Sequence, residues 1–130
     1  MGIHTIAVIG AGNGGCAAAA DLTLRGYEAR LYSRSERTLA PVLKRGGIEL
    51  VEAGKKDFAR PALVTNRLDE AVAGAELIMI STPAVAHEEL VVGLGPLLRD
   101  GQIIFLNPGH TGGALHVAAL FLVEADLIFG

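Results

Sequence analysis

The 130-residue chain contains one cysteine, Cys16. A single thiol excludes an internal disulfide and matches the usage of a reducing compartment. No block of basic residues stands out beyond Lys44-Arg45 and Lys55-Lys56, and the net charge is −3, so a nucleic-acid partner is not expected. No charged n-region followed by an apolar h-region opens the sequence. No uninterrupted apolar stretch reaches the roughly eighteen residues of a membrane span. A soluble, cytoplasmic protein is the expectation. The sequence also lacks internal repeats, low-complexity linkers, paired carboxylates, a nucleophile–base–acid pattern and metal-ligand spacings. It therefore offers no catalytic residue and no metal site.

What it has in abundance is apolar residues, 51% of the chain, and glycine, 17 residues. Strand-like and helix-like stretches alternate. Strands are expected at residues 3–9, 28–33, 62–65, 76–81 and 102–106, with a sixth at 126–129. Helices are expected at 13–25, closed by Gly26, at 36–45, ended by Gly46-Gly47, at 68–72, at 85–98, where Gly93, Gly95 and Pro96 suggest a break or a second short piece, and at 113–125. The stretch 48–60 reads as a strand, a turn over residues 54–57, and a short return at Phe58-Ala59-Arg60. Strand, helix, strand at this rhythm implies right-handed parallel crossovers. The fold class is therefore α/β, a Rossmann-type doubly wound parallel sheet with three layers, in one domain over residues 1–130. Continuous apolar strands suit a sheet covered on both faces.

The most informative segment is Ile6–Gly15, IAVIGAGNGG. Here an apolar strand runs into Gly10-x-Gly12-x-x-Gly15, and a helix follows at once. Gly10 lets the chain turn sharply, Gly12 lets a pyrophosphate approach the backbone, and Gly15 lets the helix lie close to the sheet. Such an anion would sit at a helix N-terminus, where unpaired N–H groups and the positive dipole end favour it. Asn13 and Gly14 complete the turn as candidate binding residues.

Cofactor choice turns on the tip of the second strand. An NAD site carries an acidic residue there, about twenty residues beyond the glycines, to grip the ribose hydroxyls. This chain has Ser33-Arg34-Ser35 instead, with no carboxylate before Glu36. A guanidinium pairs bidentately with a 2′-phosphate, and Arg37 lies near enough to add a second cation. The expected cofactor is NADP, with NAD as the alternative; solvated arginines at a helix start are the bland reading. Ligands sit outside the carboxyl ends of parallel strands. Thr82 and Pro83 are therefore expected between pyrophosphate and nicotinamide ribose, and Asn107 at the nicotinamide end, although all three also suit ordinary turns.

With the glycine turn, the segment STPAVAH and the turn NPGHTGG in view, the chain resembles the N-terminal NAD(P)-binding domain of the opine (octopine/nopaline-type) dehydrogenases. The resemblance runs over nearly the whole chain, and the forms Asn13-Gly14-Gly15 and NPG-x-x-GG carry it best. It implies an oxidoreductase that condenses an amino acid with a 2-oxo acid and reduces the imine with NAD(P)H. It also implies that the catalytic histidine and aspartate lie in a separate C-terminal helical domain, expected to be absent from these residues. The chain alone is then expected to be inactive. Glycerol-3-phosphate dehydrogenases and ketopantoate reductases share the first segment and supply the alternative, as does a stand-alone nucleotide-binding module.

The remaining polar residues point to less. His87 in the fourth helix is near the site, and a surface role is favoured. His4, at the opposite edge, reads as structural, and His116 is the one polar residue in 114–123. Cys16 reads as a small apolar residue, or as a thiol acidified by the helix N-terminus. The helix 114–123 is apolar all round. Its free face is expected to seek a cover, here a homo-oligomer through Leu115, Leu120, Phe121 and Leu122.

Overall fold

A computed structural model of the chain describes residues 3–81 and 87–106. The elements in order are β1 (Thr5–Ile9), α1 (Asn13–Leu24), β2 (Glu28–Tyr32), α2 (Glu36–Arg45), β3 (Ile48–Glu52), β4 (Lys55–Ala59), β5 (Leu63–Thr65), α3 (Leu68–Val72), β6 (Leu77–Ile80), α4 (His87–Leu94), a 3₁₀ turn at Gly95–Leu97, and β7 (Ile103–Leu106). The expected last helix and sixth strand lie outside the described residues.

Five strands form one sheet in the order β5-β2-β1-β6-β7, and every pairing in it is parallel. Chain order reverses at β1, which pairs with β2 on one side and β6 on the other. A crevice opens at such a switch point, beyond the carboxyl ends of the strands.

Successive side chains of a strand point to opposite faces, and β1 uses both. Ile6 and Val8 join Ala19, Ala20, Leu31, Leu39 and Val42 on one side. Ala7 and Ile9 join Val72, Ile78, Ile80 and Leu94 on the other. The strand is buried on both faces, as its unbroken apolar run requires. Burying a side chain such as Ile9 or Ile78 contributes about 1.5–3 kcal/mol, so these two clusters hold the three layers together.

α2 spans the expected residues 36–45, and α1 ends at Leu24, one residue before the expected end. Ser35 Oγ caps α2 by accepting from the Thr38 N–H at 3.3 Å, and Gly46 ends the helix in the left-handed region. The stretch expected as helix over 85–98 breaks where Gly93, Gly95 and Pro96 suggest it should. Its regular part stops at Leu94 and a 3₁₀ turn containing Pro96 follows, because proline removes a ladder donor and crowds the preceding turn.

Residues 48–59 differ most from expectation. The return strand begins at Lys55 rather than Phe58, and the antiparallel pair β3–β4 forms a separate two-stranded sheet. Its two-residue turn is Ala53-Gly54, with φ of 51° and 79°. Positive φ at both central residues suits the right-handed twist of a hairpin. Alanine seldom adopts that conformation, so the turn carries no ordinary sequence signal. Ile48 and Ala59 of this hairpin belong to the same core cluster as Ala19 and Ala20 of α1.

Candidate dinucleotide site

The glycine turn is held by a short set of backbone contacts. Gly10 has φ of 115°, and its N–H donates to the Tyr32 carbonyl at 2.8 Å, tying the turn to the end of β2. Gly15 faces the Gly10 carbonyl so closely that a Cβ on it would lie 1.7 Å from that oxygen. Only hydrogen fits there. Gly12 is the opposite case, since among the described residues a Cβ on it would meet nothing within 4 Å. One glycine lets helix and strand meet, while the other leaves open space over the backbone.

Gly12 also caps α1 without a side-chain hydrogen bond. The Cys16 N–H donates to the Gly12 carbonyl at 2.9 Å, so the N–H groups of Asn13, Gly14 and Gly15 precede the helical ladder. Helix starts leave such donors unsatisfied and carry about half a positive charge. No acidic residue lies in the first turn to offset it. Asn13 and Gly14 are exposed.

Cys16 is half-buried, and its thiol donates to the Ala11 carbonyl at 3.2 Å. Burial pushes the thiol pKa up, so the neutral, structural reading of this residue holds over the acidified one. Beneath the turn, Ser81 just after β6 has a buried Oγ without a hydrogen-bond partner among the described residues.

Beside the turn lies a cleft of about 590 Å³, lined by Ile9, Gly10, Tyr32, Ser33, Arg34 and Ser35 from the strand ends. The opposite wall is Leu68 of α3 with Glu89, Leu90, Val92 and Gly93 of α4. The volume falls in the range of small-molecule sites, about 300–1,000 Å³, and the mix of apolar walls with a few polar groups is typical of them. Tyr32 has its phenol pKa raised, first by burial, with Arg34 lowering it and Glu89 raising it; it enters the cleft as a neutral ring.

The loop that presents Arg34 is ordered locally. The Ser33 N–H donates to the Thr65 carbonyl at 3.2 Å, and the Ser35 N–H donates to Ser33 Oγ at 3.2 Å. Arg34 extends from this loop and forms an ion pair with Glu89. Arg37 is exposed in the first turn of α2 and is not part of the cleft wall.

The structure thus brings together Gly10, Ser33 and Arg34 in one wall, with Gly12, Asn13, Gly14 and Gly15 in the adjoining turn. Thr82, Pro83 and Asn107 lie outside the described residues. The sequence reading missed the far wall. Leu68, Glu89, Leu90, Val92 and Gly93 carry no motif, and only the crossover of the sheet sets them opposite β2. Among the described residues, no group of three or more His, Cys, Asp or Glu is gathered as a metal site. No helix among them is long and apolar enough to cross a membrane.

Residues 6–123 match the family model described as ketopantoate reductase PanE/ApbA. The chain belongs to this family. It is similar to the opine dehydrogenase of Arthrobacter sp. strain 1C, at 38% identity over 111 residues, covering 85% of this chain and 31% of that protein. It is 35% identical over 107 residues to a glycerol-3-phosphate dehydrogenase [NAD(P)+] of Geobacter sulfurreducens, covering 76% of this chain and 29% of that one. Its fold matches a structure of octopine dehydrogenase in complex with NADH and agmatine, with a TM-score of 0.80 and 21% identity. That match covers 96% of this chain and 33% of the other. The chain spans about a third of the length of the relatives it matches. The expected Rossmann-type fold and the opine-dehydrogenase resemblance both hold.

Proposed function

We propose that the chain is the dinucleotide-binding domain of an opine-dehydrogenase-like oxidoreductase, one that condenses an amino acid with a 2-oxo acid and reduces the product. The observation that carries this reading is the contrast between its glycines. Gly15 is shut against Gly10 while Gly12 faces open space at a helix start, which is the geometry a pyrophosphate needs. The residues present fit the group: free N–H donors, no opposing acid in the first turn, and an adjoining cleft of adenosine size.

The dinucleotide supplies the hydride. This chain's residues bind and orient it. The N–H groups of Asn13, Gly14 and Gly15 would meet the pyrophosphate, and Tyr32, Leu68 and Leu90 would flank the adenine. Ser33 and Arg34, with Arg37 as a further cation, would meet the 2′ position of the ribose. Arg34 in place of a carboxylate supports NADP(H), with NAD(H) as the alternative. Thr82 and Pro83 are assigned to the stretch between pyrophosphate and nicotinamide ribose, and Asn107 to the nicotinamide end. The substrate chemistry is assigned to residues outside these 130, in a cytoplasmic setting, and self-association to the apolar stretch 114–123.

A second reading, a glycerol-3-phosphate dehydrogenase or ketopantoate reductase relative, is supported by the family match and by the Geobacter protein. Both readings require the same dinucleotide site.

Gly12→Val tests that site. Gly12 has φ of −71° and ψ of −172°, an extended conformation that valine accepts, so the fold should persist. Calorimetric titration with NADPH and NADH should show binding by the wild type and none by the variant, at an unchanged unfolding midpoint. Equal affinities would overturn the proposal.

A further inference from the structure

Arg34 and Glu89 are 55 residues apart in sequence and meet across the mouth of the cleft, one from the loop after β2 and the other from α4. Their side chains are 76% and 69% exposed, and both residues belong to the cleft wall. An exposed ion pair adds little to stability. Its consequence falls on whatever enters the cleft.

The geometry points to Glu89 as a second cofactor-selecting residue, opposed in sign to Arg34. This inference rests on the cleft being the adenosine site proposed above. The tip of β2 lacks the carboxylate that would accept hydrogen bonds from a ribose diol, and α4 brings one to the same place from the opposite wall. An ionised carboxylate only accepts. Glu89 can therefore accept from the 2′ and 3′ hydroxyls of NAD(H), whereas it repels the 2′-phosphate of NADP(H). The phosphate must also take Arg34 from Glu89 before a bidentate pair forms. Glu89 thus holds the NADP preference conferred by Arg34 to a modest one.

Glu89→Gln keeps the shape of the side chain and removes its charge. In calorimetric titrations of the 130-residue chain at low salt, the variant should bind NADPH about fivefold more tightly and NADH about twofold more weakly. Both effects should shrink in high salt, because exposed charges are screened. Asp21→Asn, which makes the same charge change on α1 beside Arg25, should leave the NADPH/NADH ratio unchanged. An unchanged ratio in Glu89→Gln overturns the inference, and so does an equal shift in Asp21→Asn. Arg34→Ala separates the two claims. If it lowers the ratio while Glu89→Gln does not raise it, Arg34 selects the cofactor and Glu89 does not. If it leaves the ratio unmoved, the competition for Arg34 is refuted. A wild-type chain that binds neither dinucleotide overturns the cleft assignment and this inference with it.

Discussion

Gly15→Ala isolates the packing role of the third glycine. The new Cβ would lie 1.7 Å from the Gly10 carbonyl oxygen and 2.8 Å from its carbon, against about 3.5–4 Å for ordinary contact. Both atoms are backbone, and Gly10 is tied to Tyr32 by its own N–H, so no flexible side chain can give way. Either α1 moves off the sheet or the turn opens. Overpacking of a close-packed site typically costs about 1–3 kcal/mol, occasionally more, and a backbone overlap of this depth belongs at the upper end. With a urea m value of about 1–3 kcal/mol/M, a loss of about 3 kcal/mol lowers the midpoint by roughly 1–3 M. Urea unfolding followed by far-UV circular dichroism measures it directly. Gly12→Ala is the companion, since its Cβ meets nothing within 4 Å among the described residues, and its stability should stay within about 0.5 kcal/mol of wild type or rise slightly. A Gly15→Ala chain as stable as wild type would refute the close approach of α1 to the turn.

Two further perturbations probe the frame of the site. Glu76 Oε1 accepts from the N–H groups of His4 and Thr5 at 2.7 and 3.0 Å, and these bonds hold its carboxyl below the ordinary value of 4.5. A depressed folded-state pKa contributes stability above the unfolded value that is lost as pH falls through the folded one. Glu76→Gln should therefore flatten the stability profile below about pH 4.5, and parallel acid profiles for the two proteins would contradict this. Gln102 Nε2 donates to the carbonyls of Val72 and Ala75 at 3.0 and 2.8 Å, closing the end of α3. Gln102→Ala removes the amide donor from the Ala75 carbonyl, while the Val72 carbonyl keeps the Ala75 N–H at 3.1 Å, and should cost about 1–3 kcal/mol in chemical denaturation; a change under about 0.3 kcal/mol would mean that water replaces the amide.

The parts of the molecule legible in the sequence were local ones. The glycine turn could be read because strand, turn and helix are adjacent in the chain and each glycine answers a backbone requirement. Gly46 as a helix stop was legible for the same reason. The far wall of the cleft was not. Leu68, Glu89 and Leu90 look like ordinary helix residues, and only a sheet ordered β5-β2-β1-β6-β7 sets them facing Ser33 and Arg34. The pairing of Arg34 with Glu89 is therefore a property of topology, while Arg34 alone suggested an unopposed cation. Ala53 misled in another way, because its left-handed conformation follows from the twist of the hairpin and not from its own preference.

The place of β1 at the centre of the sheet has a consequence for synthesis. β1 needs two neighbours, and they are made at very different times. Ile6 pairs with Ala29 on one side and with Leu77 on the other. At about 5–20 residues per second, the roughly 70 residues that separate Ile6 from Leu77 take roughly 4–14 s to appear. During that interval an almost wholly apolar strand has one open edge. The nascent β1–α1–β2 unit is then the stage most exposed to mispairing, and delays in translation before residue 80 would lengthen it.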